Sequence, residues 1–290
     1  MHETSSGLVS NIGERIFAGR WIAGPYVKDA MYVASRFNAN GVGAIINYLG
    51  EALSESRDVS YTVDIYSSLI KSITSGGLNS SISIKPTQIG LDISYSYAKE
   101  NYLKLVNAAR RKGVFVWLDM EESDKVDDTL RLYYSASKRG NAGICIQSYL
   151  RRSAEDISKI ASKGGIVRLV KGAYTEPENV AYATRTEVTR NYYELMQSLF
   201  KNSGKFMIAT HDMAIIKKAI SLNNKYHREM EFAMLNGIRN LDAVSLAKEG
   251  YKMSIYIPFG PSWFKYSTRR LREAGHASLI ARSLFSRQRI

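Results

Sequence analysis

Eight short apolar runs, separated by longer stretches with helical periodicity, constrain the fold of this chain more than any other feature. The runs lie at residues 44–49, 82–85, 114–119, 143–147, 166–171, 206–210, 230–235 and 253–257, and their starts are 23 to 40 residues apart. Short apolar runs that alternate with amphipathic stretches are typical of βα units. Eight such units predict a closed (β/α)8 barrel of the TIM type, and 290 residues suit that fold.

A doubly wound open sheet is the alternative arrangement of such units. That fold normally carries a glycine-rich phosphate turn after its first strand, and residues 47–55 here read NYLGEALSE. The barrel is therefore favoured. Apolar residues at helical spacing between residues 8 and 38 predict one or two preliminary helices before it. We expect an N-terminal helical segment at 1–43, the barrel at 44–275 and a basic tail at 276–290.

The chain carries a formal net charge of +13, and the excess is unevenly placed. Residues 265–290 contain seven basic side chains and one acidic side chain, a net +6. Such a tail suits a nucleic acid, an anionic membrane surface or simply solubility, and charge alone does not choose between them. No secretory signal opens the sequence, and no apolar run approaches the roughly 20 residues of a membrane span, so we expect a cytoplasmic protein. The single cysteine, Cys145, lies in an apolar stretch and is expected in the core.

Polar side chains lie at the carboxyl ends of the predicted strands, where barrel enzymes carry their active sites. They are Glu51, Lys85, Asp119, Gln147, Arg168, Lys171, Thr210, His211, Glu231 and Tyr256. Each has a simpler explanation by itself: Glu231 could sit on the outer or the lower face of the barrel, and His211 could neighbour a helix cap. Together they indicate a site, because burying Lys85, Asp119 and Arg168 without partners or a ligand would cost several kcal/mol each. Mutual pairing around an anionic ligand would offset that cost.

The segment after the last predicted strand can form an eighth barrel helix that follows a turn at residues 258–261. Arg269 and Glu273 are four residues apart and share a face of that helix. From the pattern alone they are a solvent-exposed ion pair. The adjacent guanidiniums of Arg269 and Arg270 could also grip one carboxylate through charge-assisted hydrogen bonds.

Three motifs in this order resemble the proline dehydrogenase family: WLDMEES at 117–123, RLVKGAY at 168–174, and YIPFG followed by WFKYSTRRLRE within 256–273. Supporting matches are IKPTQIGL at 84–91, IQSYLRRS at 146–153, ATHD at 209–212 and EFAMLNGIR at 231–239, so the similarity covers about residues 44–275. The resemblance implies a distorted (β/α)8 barrel that binds FAD, oxidises L-proline to Δ1-pyrroline-5-carboxylate and reduces a quinone. It implies neither a metal site nor a nucleic-acid partner.

The resemblance also assigns roles to individual residues. Lys85, Arg269 and Arg270 match the residues that hold the proline carboxylate, Tyr256 and Leu235 match those that pack against the proline ring, and Asp119 matches a residue that orders the same pocket. Arg168 matches an arginine near flavin N5, and Glu273 matches the carboxylate that pairs with it when the last helix closes over substrate. Positions lining the FAD are matched by Gln147, Arg168, Lys171, Gly172, Ala173, Tyr174, Thr184, Thr210, His211 and Leu235.

The sequence departs from the family pattern at three positions near the cofactor. Ala233, Thr186 and Thr175 stand where the family often has a glutamine, a lysine and an aromatic residue. Because these changes remove contacts that the flavin or its phosphates could use, FMN stays open as an alternative to FAD.

Two other functions stay open from the residues themselves. Lys85 or Lys171, at a strand end, could form a Schiff base in an aldolase-type barrel enzyme. A protein that binds an anionic membrane surface or a nucleic acid would be consistent with the basic tail, and contact with a membrane would also serve quinone reduction.

Overall fold

Eight parallel strands close into a barrel in the computed structural model of this chain, which describes residues 21–261. The strands are β1 (Gly43–Tyr48), β2 (Ser80–Ile84), β3 (Val116–Leu118), β4 (Ala142–Gln147), β5 (Val167–Val170), β6 (Lys205–Ala209), β7 (Glu229–Leu235) and β8 (Met253–Phe259). Each strand pairs with its neighbours in chain order, and β8 pairs with β1. The predicted barrel is confirmed, and each predicted strand begins and ends within two residues of the observed one.

Helices connect the strands and cover the outside of the barrel. They are α1 (Val27–Asn38), α2 (Ser56–Ser75), α3 (Tyr95–Arg111), α4 (Val126–Ser137), α5 (Ser153–Ala161), α6 (Arg185–Asn202), α7 (Met213–Tyr226) and α8 (Asn240–Lys248), with two 3-10 helices at Pro86–Ile89 and Ser123–Lys125. Their buried residues follow helical spacing. In α2, Val59, Val63, Tyr66 and Ile70 are all buried, which places one apolar face against the sheet.

Helix α1 occupies the place between β8 and β1 in the ring of helices. It packs against both strands and against α2, through an apolar face that includes Ala30, Ala34 and Phe37. The chain before it is fixed to the end of β8, since Ala23 N donates a hydrogen bond of 2.9 Å to Pro258 O. Within residues 21–261, one preliminary helix is therefore observed.

Several predicted features lie outside the described residues. They are the first part of the N-terminal helical segment, the helix that carries Arg269, Arg270 and Glu273, and the basic tail at 276–290. The predicted boundaries at residues 43 and 275 stay predictions.

Alternate residues of the strands fill the inside of the barrel with side chains. Ile45, Trp117, Met207 and Ala233 form one apolar cluster there. Cys145 is buried, as predicted for a core position. Over residues 21–261, no helix is both long and apolar enough to cross a membrane. The packed interior therefore leaves the ends of the strands as the places where polar side chains can meet a ligand.

Candidate active site

The carboxyl ends of the strands carry a cluster of charged side chains around Asp119. This carboxylate directly follows β3 and accepts hydrogen bonds from Ser83 Oγ (2.7 Å) and Tyr256 Oη (2.8 Å) and from the guanidinium of Arg168. The Lys85 ammonium lies 3.7 Å away. Burial by itself would raise the pKa of Asp119, but Arg168, Lys85 and the two hydroxyl donors outweigh it and lower that pKa. Asp119 is therefore a carboxylate at neutral pH.

Arg168 is held inside the barrel mouth between two aromatic rings. Its side chain is 4% exposed, and its guanidinium carbon lies 5.2 Å from the ring centroid of Trp117 and 5.4 Å from that of Tyr256. Nη2 donates to Ser83 Oγ (3.2 Å) and to Asp119, whereas the buried Nη1 has no hydrogen-bond partner among the described residues. Asp119 compensates a charge that would otherwise be costly at this depth.

Lys85 directly follows β2 and lies between two carboxylates. Its Nζ is 3.7 Å from Asp119 and 3.9 Å from Glu51, and its side chain is 14% exposed. Burial lowers the pKa of Lys85, but Tyr174, Asp119 and Tyr256 more than compensate and hold it well above its usual value. The amine therefore stays protonated, which suits an anionic ligand and opposes the nucleophilic role that a Schiff-base aldolase requires.

The other predicted strand-end residues form a second group on β4 to β7. Gln147 Nε2 donates to Met120 O (3.2 Å), while its Oε1 is buried and lacks a partner among the described residues. Lys171 Nζ lies 3.4 Å from Asp212, and His211 Nε2 accepts a hydrogen bond from Leu235 N (3.3 Å).

Most of this second group borders the opening. Residues 171–174 (Lys171, Gly172, Ala173 and Tyr174), His211 and Leu235 are half-buried, and Thr210 is buried beside them. The strand interiors below them are almost fully buried, so this edge is the more accessible part of the barrel interior.

Two residues predicted to line the cofactor, Thr184 and Gly172, also have structural roles that need no ligand. Thr184 is the exposed N-cap of α6: its hydroxyl accepts from Glu187 N (3.2 Å) and donates to Glu187 Oε2 (2.7 Å). Gly172 has φ +107°, and a Cβ there would lie 2.1 Å from Cδ1 of Tyr149. Glycine is thus required at 172 by its backbone conformation and by packing against Tyr149, whereas the sequence suggested close approach to a cofactor.

Glu231 does not belong to the ring of strand-end charges. It lies near the start of β7, where it accepts a hydrogen bond from Ser254 Oγ. It lines a cavity of about 330 Å³ at the amino-terminal end of the barrel, together with Lys205, Glu229 and Lys252. The placement of Glu231 at the lower end of the barrel is confirmed, because β7 continues for four residues beyond Glu231 before it reaches its carboxyl end.

Sequence reasoning missed Ser83, Trp117, Thr87 and Glu121, all of which are buried around the charged cluster. The sequence carried a signal for two of them. Ser83 precedes Lys85 by two residues, and Trp117 precedes Asp119 by two. Alternation along β2 and β3 therefore places Ser83 and Trp117 on the same face as the charged residue that follows each strand.

A (β/α)8 barrel with a buried arginine–aspartate pair and a protonated lysine at its carboxyl-terminal opening is a barrel enzyme with a site for an anionic ligand. The chain belongs to the proline dehydrogenase family, whose profile matches residues 30–282. It is 33% identical over 276 residues to Proline dehydrogenase 1 of Bacillus subtilis, covering 94% of this chain and 91% of that protein. It is 31% identical over 265 residues to Proline dehydrogenase of Deinococcus radiodurans, covering 88% and 86%.

A solved structure shares the fold. Proline utilization A (PutA) from Bdellovibrio bacteriovorus, inactivated by N-propargylglycine, superposes with a TM-score of 0.84 at 23% identity. The match covers 99% of this chain and 35% of that protein, so this chain spans about a third of its length. The comparisons identify the enzyme as a proline dehydrogenase.

Proposed function

We propose that this enzyme oxidises L-proline to Δ1-pyrroline-5-carboxylate with FAD as the hydride acceptor and a quinone as the next electron acceptor. The observation that supports this most is the cluster in which Asp119 binds Arg168 and Tyr256 and lies beside Lys85 at the barrel opening. A fixed ammonium at an opening is suited to the carboxylate of a small amino acid.

Lys85 is proposed to hold the substrate carboxylate together with Arg269 and Arg270. Tyr256, in the middle of β8, and Leu235, the last residue of β7, are both half-buried and are proposed to pack against the proline ring. The roles of Arg269 and Arg270, and the closure through Glu273, rest on the family resemblance, since these residues lie outside the described part of the chain.

Two of the residues proposed to hold the cofactor fit a ligand that carries both hydrogen-bond donors and hydrogen-bond acceptors along its edge. Gln147 Oε1 and Arg168 Nη1 are buried polar atoms without partners among residues 21–261, and such atoms are costly unless a ligand completes them. The remaining proposed contacts are Lys171, Gly172, Ala173, Tyr174, Thr184, Thr210, His211 and Leu235. FAD when bound supplies hydride acceptance from the proline ring carbon next to nitrogen. FMN is the alternative cofactor.

The protein's own contribution is positioning and electrostatics. Arg168 holds a buried positive charge at the opening, where it would stabilise negative charge that develops on a bound ligand. His211 Nε2 already accepts a hydrogen bond from Leu235 N, so we assign removal of the proline amine proton to solvent.

The test uses the purified protein, its visible spectrum and L-proline added without oxygen. We expect flavin absorbance bands that L-proline bleaches. A protein without flavin, or with flavin bands that L-proline leaves unchanged, would sink the proposal. D-proline serves as the control for substrate handedness.

We also propose that the enzyme works in the cytoplasm and contacts the inner face of the membrane through its basic tail. The support is the three arginines of that tail, Arg282, Arg287 and Arg289, with no acidic residue among them, since each basic residue near an anionic surface contributes roughly 1 kcal/mol. Sedimentation with anionic liposomes should retain the full chain and release a chain that ends at Gly275. Equal sedimentation of both would contradict the contact.

A further inference from the structure

Glu121 lies in the core beside the charged cluster, and its carboxylate is held by one residue. It is 1% exposed, its Oε2 accepts from Thr87 N (2.9 Å), and its Oε1 accepts from Thr87 Oγ (2.8 Å). Thr87 is the second residue of the 3-10 helix that follows Lys85. Glu121 therefore fixes the turn that carries Lys85.

The Thr87 hydroxyl also fixes the loop that carries Glu51. It accepts a hydrogen bond of 2.9 Å from Ala52 N. Ala52 has φ +55°, a conformation that costs free energy for a residue with a side chain and persists only where its surroundings hold it. Glu51 precedes it directly and reaches to 3.9 Å from the Lys85 ammonium.

Lys85 is held from its other side as well. Its backbone N donates to Gln88 Oε1 (3.0 Å), which also accepts from Tyr66 Oη (3.0 Å). The main chain at residues 85–88 is thus fixed by two buried side chains, Gln88 within the turn and Glu121 across from it.

We propose that Thr87 and Glu121 are positioning residues for substrate binding, which hold Lys85 and Glu51 so that the ammonium meets the proline carboxylate. Neither side chain needs to touch the substrate for this role. The inference rests on the proposed function of Lys85. It explains why a hydroxyl and a carboxylate are buried where apolar residues would otherwise pack.

The charge of Glu121 supports the same assignment. Burial raises its pKa to about 7, against the influence of Lys85 and of both hydrogen bonds from Thr87, while Glu51 raises it further. When the Glu121 carboxylate carries no proton, the Thr87 hydroxyl donates its hydrogen to Glu121 Oε1. The lone pairs of the same hydroxyl then stay available to accept from Ala52 N–H. Substrate binding is therefore expected to strengthen as pH rises through 7.

The experiment compares Thr87→Val, which removes only the hydroxyl, with Thr87→Ser, which retains it. Steady-state kinetics with L-proline should show KM raised about tenfold for Thr87→Val, with kcat within twofold, because the turn that carries Lys85 loses its hydroxyl bond to Glu121 and Ala52 N loses its acceptor. Thr87→Ser should stay within twofold of the unchanged enzyme. Thr129→Val is the matched control, because Thr129 is also buried but its hydroxyl donates to the backbone oxygen of Lys125, directly before α4.

A second variant covers the case in which Thr87→Val fails to fold. Glu121→Gln should raise KM about fivefold at pH 8 and weaken the dependence of KM on pH between 6 and 8, relative to the enzyme without substitutions; loss of the proline amine proton contributes equally to that dependence in both proteins. An unchanged KM in Thr87→Val, equal damage in Thr87→Ser, or the same pH dependence of KM in Glu121→Gln as in the enzyme without substitutions would overturn the inference. If the enzyme without substitutions does not oxidise L-proline at all, that result would instead count against the proposed function.

Discussion

Tyr256 donates its phenolic hydrogen to Asp119 Oδ2 over 2.8 Å, and so joins the middle of β8 to the residue that directly follows β3. The two residues are 137 positions apart in the sequence. The bond fixes the carboxylate that neutralises Arg168 and orients the ring proposed to meet the substrate. Its removal should therefore affect catalysis more than folding.

Tyr256→Phe removes this hydrogen bond but keeps the ring beside Arg168. A hydrogen bond to a charged group contributes roughly 1.5–3 kcal/mol, so kcat/KM for L-proline should fall about tenfold to a hundredfold. Steady-state kinetics measures the effect. Tyr97→Phe is the control, because its hydroxyl bonds Ser56 O at the outside of the barrel and its loss should leave kcat/KM unchanged. Equal kinetics for the two variants would contradict the assignment.

Asp119→Asn should destabilise the protein by about 3–5 kcal/mol, because it leaves Arg168 and Lys85 buried without their shared counter-charge. Urea denaturation measures the free energy of unfolding. The matched control is Asp128→Asn, which breaks the exposed ion pair with Arg131 and should cost under about 1 kcal/mol. A loss of less than 1 kcal/mol in Asp119→Asn would show that the cluster is not held by this carboxylate.

The buried carboxyl of Glu121 should make stability depend on pH. Its pKa rises from 4.5 to about 7 on folding, so between these values the folded protein holds a proton that the unfolded chain releases. The free energy of unfolding therefore falls as pH rises from 4.5 to 7, by about 3 kcal/mol from this group.

Glu121→Gln removes that contribution, and the comparison of the two proteins isolates it from other titrating groups. The difference in free energy of unfolding should change between pH 4.5 and 7 and become constant above pH 8. Chemical denaturation at a series of pH values measures it. A difference that stays constant across the whole range would mean that Glu121 titrates at its usual pKa.

Gly172→Ala should be strongly destabilising, since an added Cβ would both strain a backbone at φ +107° and enter the ring of Tyr149. Gly140→Ala separates the two effects: its φ is +80°, but its Cβ would meet nothing within 4 Å. We expect roughly 1 kcal/mol from the conformation alone in Gly140→Ala and clearly more in Gly172→Ala, by thermal or urea unfolding. Equal losses would mean that Tyr149 moves aside freely.

Arg270→Met should raise KM for L-proline tenfold or more while the bound flavin is retained, because it removes one of the two guanidiniums proposed to grip the carboxylate. Kinetics and the visible spectrum of the purified variant measure the two parts. Arg287→Met, in the basic tail, provides a control of equal charge change. Loss of flavin from Arg270→Met would count against its assignment to the substrate.

The strands could be predicted because buried parallel strands are short apolar runs, and the chain repeats them at nearly regular intervals. The height of a side chain within the barrel was harder to predict. Alternation places Glu231 on the inner face, but only the register of β7 shows that it lies near the lower end. The cost of burying Asp119 and Arg168 predicted that they pair, but spacing could not place Ser83 and Tyr256 beside Asp119, because these two residues come from other strands. The contact between Thr87 and Glu121 could not be predicted either, because 34 residues separate them in the sequence.

The position of α1 sets the order in which the barrel can be completed during synthesis. Its partner β8 begins about 215 residues after α1 ends, which takes roughly 10–40 s at 5–20 residues per second. Throughout that time Ala30, Ala34 and Phe37 lack part of their cover, and β1 presents a free edge of unpaired backbone groups. The nascent chain is thus an open sheet until its last strand is made, and that interval is when it is most exposed to aggregation.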